Sequence, residues 1–220
     1  MGHDCPDSLT NIQHSGSDVF VEFDEFAPPE ITDDEPSNQI RYETDRCSKI
    51  IKGIKYLRSQ DEDITHWFAL DADDLLHEDL VEVLSKHEGY DAYLFENGYF
   101  YYEQSRIFNV TNEFYNYCGS SSIISDKFYT HIPTEITDTS FRKVSAINVS
   151  HVNIKRFFES NGINCYIPTE RLVMYVRDNG DNISDSYVDS FYKKLRAKLA
   201  MLLRARILFR RTQSSFGIET

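Results

Sequence analysis

The sequence predicts an α/β sandwich, and three observations lead to it. Apolar residues recur at helical spacing from Gln39 to Ser59, an apolar β-prone run occupies Ile64 to Leu70, and helical and β-prone segments keep alternating beyond it. That alternation is the pattern of helices laid against a sheet. With 220 residues, 40% hydrophobic and 14% aromatic, the chain can bury a sizeable core as one main domain.

Taken in order, Val19-Phe20-Val21-Glu22-Phe23 is a short β-prone run, and the Pro-, Asp- and Glu-rich stretch from Ala27 to Asn38 reads as an exposed loop. From Gln39 to Ser59, Ile40, Cys47, Ile50, Ile51, Ile54 and Leu57 share one helical face. Ile64 to Leu70 reads as a strand buried on both faces, because it is almost wholly apolar. Leu76, Leu80, Val83 and Leu84 give Leu75 to His87 a helical spacing, with Gly89 beyond it as the cap. Asp91 to Glu96 is β-prone again, and Tyr99, Phe100, Tyr101 and Tyr102 form a further strand or the wall of a groove. A helix is expected from Val152 to Ser160, ending at Gly162, and a strand from Leu172 to Val176.

The net charge of -13 argues against nucleic acid as a partner. Positive charge is concentrated in residues 191–211, which hold eight Lys and Arg and no acid, leaving -21 on the rest. Leu195, Leu199, Met201, Leu202, Leu203, Ile207, Leu208 and Phe209 interleave with those charges, so this tail can lie on an anionic membrane or dock on an acidic protein surface. Cys5, Cys47, Cys118 and Cys165 form no C-x-x-C pair. With no basic leader and no run approaching about 18 apolar residues, the expectation is a cytoplasmic protein, peripheral to a membrane if the tail binds one.

Acidic residues begin abruptly where the Ile64 to Leu70 run ends, as Asp71-Ala72-Asp73-Asp74. Ligands of open α/β sheets bind beyond the carboxyl ends of strands. Two carboxylates one residue apart can bind a hard cation such as Mn²⁺ or Mg²⁺ and leave positions for substrate phosphate oxygens. The alternative is that these acids cap the following helix, and Asp74 is assigned that simpler role.

Trp67-Phe68-Ala69-Leu70-Asp71-Ala72-Asp73-Asp74 resembles the D-x-D motif of glycosyltransferases with the A-type, nucleotide-diphospho-sugar-transferase fold. Arg46-Cys47-Ser48-Lys49 and Gly53 are similar, less specifically, to the segment near the donor diphosphate, and residues 19–185 are compatible overall. The resemblance implies a sandwich with a mixed central sheet, and a metal bridging Asp71 and Asp73 to the diphosphate of a nucleotide-sugar. It further implies transfer of the sugar to a glycan or lipid-linked acceptor hydroxyl, with Arg46 and Lys49 on the phosphate side. His151 is a candidate third metal ligand, against the simpler reading of an ordinary buried or surface histidine. Tyr175 to Ser184 is similar to the strand and loop that close such domains. An inverting transferase also needs a carboxylate base. Asp138 is named for it ahead of Glu135 and Asp126, and Cys118 to Ile124 is expected to line the acceptor site with small hydroxyls.

Only about eighteen residues precede the region matching Val19, so the resemblance implies a domain lacking the first strand and helix. The expected organisation is a partial catalytic domain over 1–190 and a basic amphipathic segment over 191–220. Two other classes compete. A haloacid-dehalogenase-like phosphatase also has D-x-D after a strand, but its motif normally opens the domain, and Gly180-Asp181-Asn182-Ile183-Ser184-Asp185 only mimics its later metal motif. A degenerate transferase-like domain that binds without turnover is the other. A calcium EF-hand fails, since Leu75 and Leu76 stand where a ligand and a glycine are required.

Overall fold

A computed structural model describes residues 21–30, 32–60, 63–177 and 210–218. It is a mixed α/β fold with two mixed sheets, in two compact units interleaved along the chain: residues 1–67 with 125–149, and residues 68–124 with 150–220.

The first unit is organised around helix α1, Glu35–Ser59. Its predicted C-terminal end is met, but it starts four residues before Gln39, inside the segment read as loop. Pro36 explains the difference: at the first turn its missing N–H leaves no helical bond unmade. Cys47, Ile51 and Ile54 are buried, as the three-and-four spacing requires, whereas Ile40 is 56% exposed. Phe23 is buried too, and Glu22 beside it makes only an isolated bridge; Val19 and Phe20 lie outside the described residues. The return of the chain supplies Phe141, Val144 and Ile147, on a short 3₁₀ turn at Ser140–Lys143 and helix α2, Ser145–Asn148.

The second unit holds most of the sheet. After strand β1, His66–Phe68, come β2 (Leu75–Leu76), helix α3 (Leu80–Ser85), β3 (Ala92–Leu94), β4 (Gly98–Tyr102), β5 (Ile107–Thr111) and β6 (Ser122–Ser125). Helix α4 (Ile154–Ser160), β7 (Cys165–Tyr166), β8 (Val173–Arg177) and helix α5 (Arg210–Ser215) complete it. One sheet has the order β1-β6-β3-β7, the other β2-β8-β4-β5. In the first, β3 runs antiparallel to β6 and parallel to β7. In the second, β8 runs antiparallel to β2 and parallel to β4, and β4 antiparallel to β5.

Strand alternation divides the core of this unit. Along β8, Val173 joins the cluster of Leu80, Tyr93, Phe95, Phe114, Cys118, Ile123 and Leu172. Met174 and Val176 point the other way, to Tyr101, Phe108 and Phe216, as side chains at odd and even positions of a strand must. Gly98 is required on β4, because a Cβ there would fall 2.2 Å from the buried ring of Phe114.

Three expectations about elements are corrected. The Ile64 to Leu70 run yields a strand of three residues at the edge of its sheet, half-buried at every position, so it is not buried on both faces. Leu75 and Leu76 are not helical: they pair with Val173 and Met174 on β8, and the helix begins only at Leu80. Strand β5 is not legible in the sequence, because its register partners lie on β4 and its own sequence carries Asn109 in mid-strand.

Of the basic tail, residues 191–209 lie outside the described residues. Its end does not: Phe216 is buried, edge-on to His77 and Tyr99, and Glu78 N–H donates to Ser215 O at 2.8 Å. No described helix is long and apolar enough to cross a membrane.

Candidate functional site

The acidic segment Asp71-Ala72-Asp73-Asp74 forms a β-turn between β1 and β2, closed by the Asp74 N–H donating to the Asp71 carbonyl at 3.1 Å. Its residues are not equivalent. Ala72 is exposed, Asp71 and Asp73 are half-buried, and Asp74 is only 6% exposed. Asp74 is therefore no helix cap: it precedes a strand, and its side chain turns inward.

What it meets there is the loop Cys118-Gly119-Ser120-Ser121, in which Cys118, Ser120 and Ser121 are buried completely or nearly so. The Cys118 thiol donates to Asp74 Oδ2 at 3.1 Å. The Ser120 hydroxyl accepts from the Asp71 N–H at 2.8 Å and hydrogen-bonds the Asp74 carboxylate. These serines are thus shut away from solvent rather than lining an acceptor site, which corrects the expectation for this segment.

Burial pushes the Asp74 carboxyl up to about 6, against the opposing hydrogen bonds of Ser120 and Cys118 and with the negative charges of Asp71 and Asp73 adding to the rise. Burial, reinforced by the Asp74 carboxylate, drives the Cys118 thiol far upward, so it stays a protonated donor. Asp74 Oδ1 and Ser121 Oγ are buried with no hydrogen-bond partner. Such atoms are costly and rare in folded proteins, and they concentrate at sites that serve something other than stability.

The structure does not gather all the sequence-predicted residues at this turn. Among the described residues no three His, Cys, Asp or Glu side chains form a group that could hold a metal ion, so His151 does not join Asp71 and Asp73 as a third ligand. It opens the 3₁₀ turn His151–Asn153 ahead of α4. Arg46 and Lys49 lie on α1 in the first unit; Arg46 is exposed, and Lys49 pairs with Asp45 one turn back at 2.7 Å. Asp138 stands in an exposed turn before Ser140, also in the first unit. Nearby, His131, Pro133, Thr134, Glu135, Thr137, Ser140 and Lys143 line a surface cleft of about 370 Å³. Asp126, weighed beside Asp138 as a base, is committed elsewhere: its Oδ1 accepts from Arg58 Nη2 and from Trp67 Nε1, both at 2.6 Å.

Two half-buried carboxylates on a turn still suit a hard divalent cation of the Mn²⁺ or Mg²⁺ type, which typically takes one or two carboxylates and completes its shell with water and substrate phosphate. They suit an open site, not a closed protein cage. The residues that sequence reasoning missed are Cys118 and Ser120, whose short neutral side chains announce no charge and meet the turn only through folding.

Comparison with protein-family models, with curated proteins and with solved structures finds no match to this chain.

Proposed function

We propose that this chain is a metal-dependent glycosyltransferase of the A-type fold, which moves a sugar from a nucleotide-diphosphate donor to an acceptor hydroxyl. The observation that carries the reading is the turn itself: Asp71 and Asp73 are offered at the carboxyl end of a strand while Asp74 is drawn under it by Cys118. On this reading Asp71 and Asp73 hold Mn²⁺ or Mg²⁺, which when bound neutralises the leaving diphosphate. Arg46 is the cation assigned to the phosphate side, Lys49 being paired with Asp45. Asp138 is the assigned base that takes the acceptor proton. The proposal extends to a cytoplasmic setting, with residues 191–211 holding the protein against an anionic membrane and a lipid-linked acceptor.

The test is Mn²⁺-dependent release of nucleotide from a panel of sugar nucleotides, measured on the full chain and on Asp73→Ala. Release by the parent that Asp73→Ala loses supports the reading. A parent that releases nothing with Mn²⁺, or an Asp73→Ala chain that works as well, ends it. Another reading, a transferase-like module that binds nucleotide without turnover, is favoured by the Lys49–Asp45 pair, since it takes up one of the two cations assigned to phosphate. Calorimetric binding of a sugar nucleotide with no release is its signature.

A further inference from the structure

We infer that Ser120 is a positioning residue for the cation, tying both ends of the acidic turn so that Asp71 and Asp73 are held ready before any metal arrives. The inference rests on the metal-binding reading above. Its basis is one hydroxyl with two bonds to two residues of the turn: it accepts from the Asp71 N–H at 2.8 Å and hydrogen-bonds the Asp74 carboxylate. Asp71 and Asp74 are the first and last residues of that turn and are already joined by the 3.1 Å backbone bond between them. The turn is therefore closed once through the backbone and once through Ser120, leaving Ala72 and Asp73 as its outward pair.

Ser120 is fully buried, so its hydroxyl has no access to a ligand and acts only through the turn. Groups behind the ligands fix ligand orientation and set metal affinity. The adjacent Ser121 is an internal comparison. It is equally buried, yet its hydroxyl has no hydrogen-bond partner. Removing that hydroxyl deletes the same atom from the same loop without touching the turn.

The experiment is titration of the full chain with Mn²⁺ alone, under reductant, following free Mn²⁺ by electron paramagnetic resonance, with thermal melts in parallel. Ser120→Ala is expected to weaken Mn²⁺ binding by about tenfold or more, while Ser121→Ala stays within about twofold of the parent. Ser120→Thr keeps the hydroxyl but adds a methyl to a filled site, so it is expected to melt lower and still bind Mn²⁺ like the parent. A residue that mattered only for packing gives the opposite order. Should Ser120→Ala give no cooperative melt, Ser120→Cys replaces it, its thiol being a poor donor, with the same expectation. Equal Mn²⁺ affinity in parent and Ser120→Ala overturns the inference and leaves the metal site standing, as does equal weakening by both alanines. A parent that binds no Mn²⁺ overturns the metal site and this inference together.

Discussion

The turn Asp71–Asp74 and the loop Cys118–Ser121 make opposite impressions in the sequence and in the fold. The turn is dense with charge and has the composition of a whole site, whereas the loop has the composition of a spacer. In the structure the spacer is the more deeply buried, and it holds the charged segment through hydrogen bonds to Asp71 and Asp74. Presentation of charge and support of charge are separate tasks here, given to segments that meet only after folding. The supporting segment should dominate stability, and the presenting one should dominate ion binding.

The comparison breaks most completely at its foundation. Phe114, fully buried, packs in the same cluster as Cys118 and its carbonyl accepts the Cys118 N–H at 3.2 Å. Phe114→Ala is expected to cost about 4 kcal/mol in denaturant unfolding and to loosen the turn with the loop. Asp74 gives a pH test with a definite sign. Its carboxyl, ordinarily near 3.8, is raised to about 6, so the folded state holds the proton more tightly than the unfolded chain. Its contribution to stability is present in full below 3.8 and is lost as pH rises through 6, by about 3 kcal/mol in all. Unfolding of the parent and Asp74→Asn at pH 5 and pH 7.5 should show the parent losing roughly half of that relative to the variant. A pH-independent difference would return Asp74 to an ordinary surface acid. Next in size, Cys118→Ala removes the thiol bond to a buried carboxylate and should cost about 2 kcal/mol, with Cys118→Ser recovering part of it. Smallest is Ile40→Glu on α1, where the side chain is exposed, expected to shift stability by less than about 0.5 kcal/mol.

Ile40 also marks how far local pattern can be read. The spacing of Cys47, Ile51 and Ile54 identifies α1 because those residues share one buried face; Ile40 fits the same spacing but lies beyond the part of the helix that is covered. The start of α1 escapes the pattern because Pro36 breaks a helix interior yet suits a first turn. Leu75 and Leu76 carry no local sign of being a strand, since short apolar runs fit either period and their partners are on β8. The apolar Ile64 to Leu70 run suggests burial on both faces, but half-buried Trp67 uses its indole N–H on Asp126, a polar demand that hydrophobicity conceals. At the site, the acidic turn is legible because charge after a strand is conspicuous. Its anchor is not, because a Gly-Ser loop has the same composition whether it is exposed or, like Ser120, fully enclosed.

Phe216 carries a consequence for how the chain is made. Its ring completes a cluster with Tyr101, Phe108, Met174 and Val176, residues that emerge from the ribosome far earlier. Throughout the intervening synthesis, this side of the β2-β8-β4-β5 sheet lacks its cover and presents aromatic surface to the cell. Sequential emergence thus sets a waiting period in which chaperone capture competes with self-association, and it closes only when residue 216 reaches the sheet.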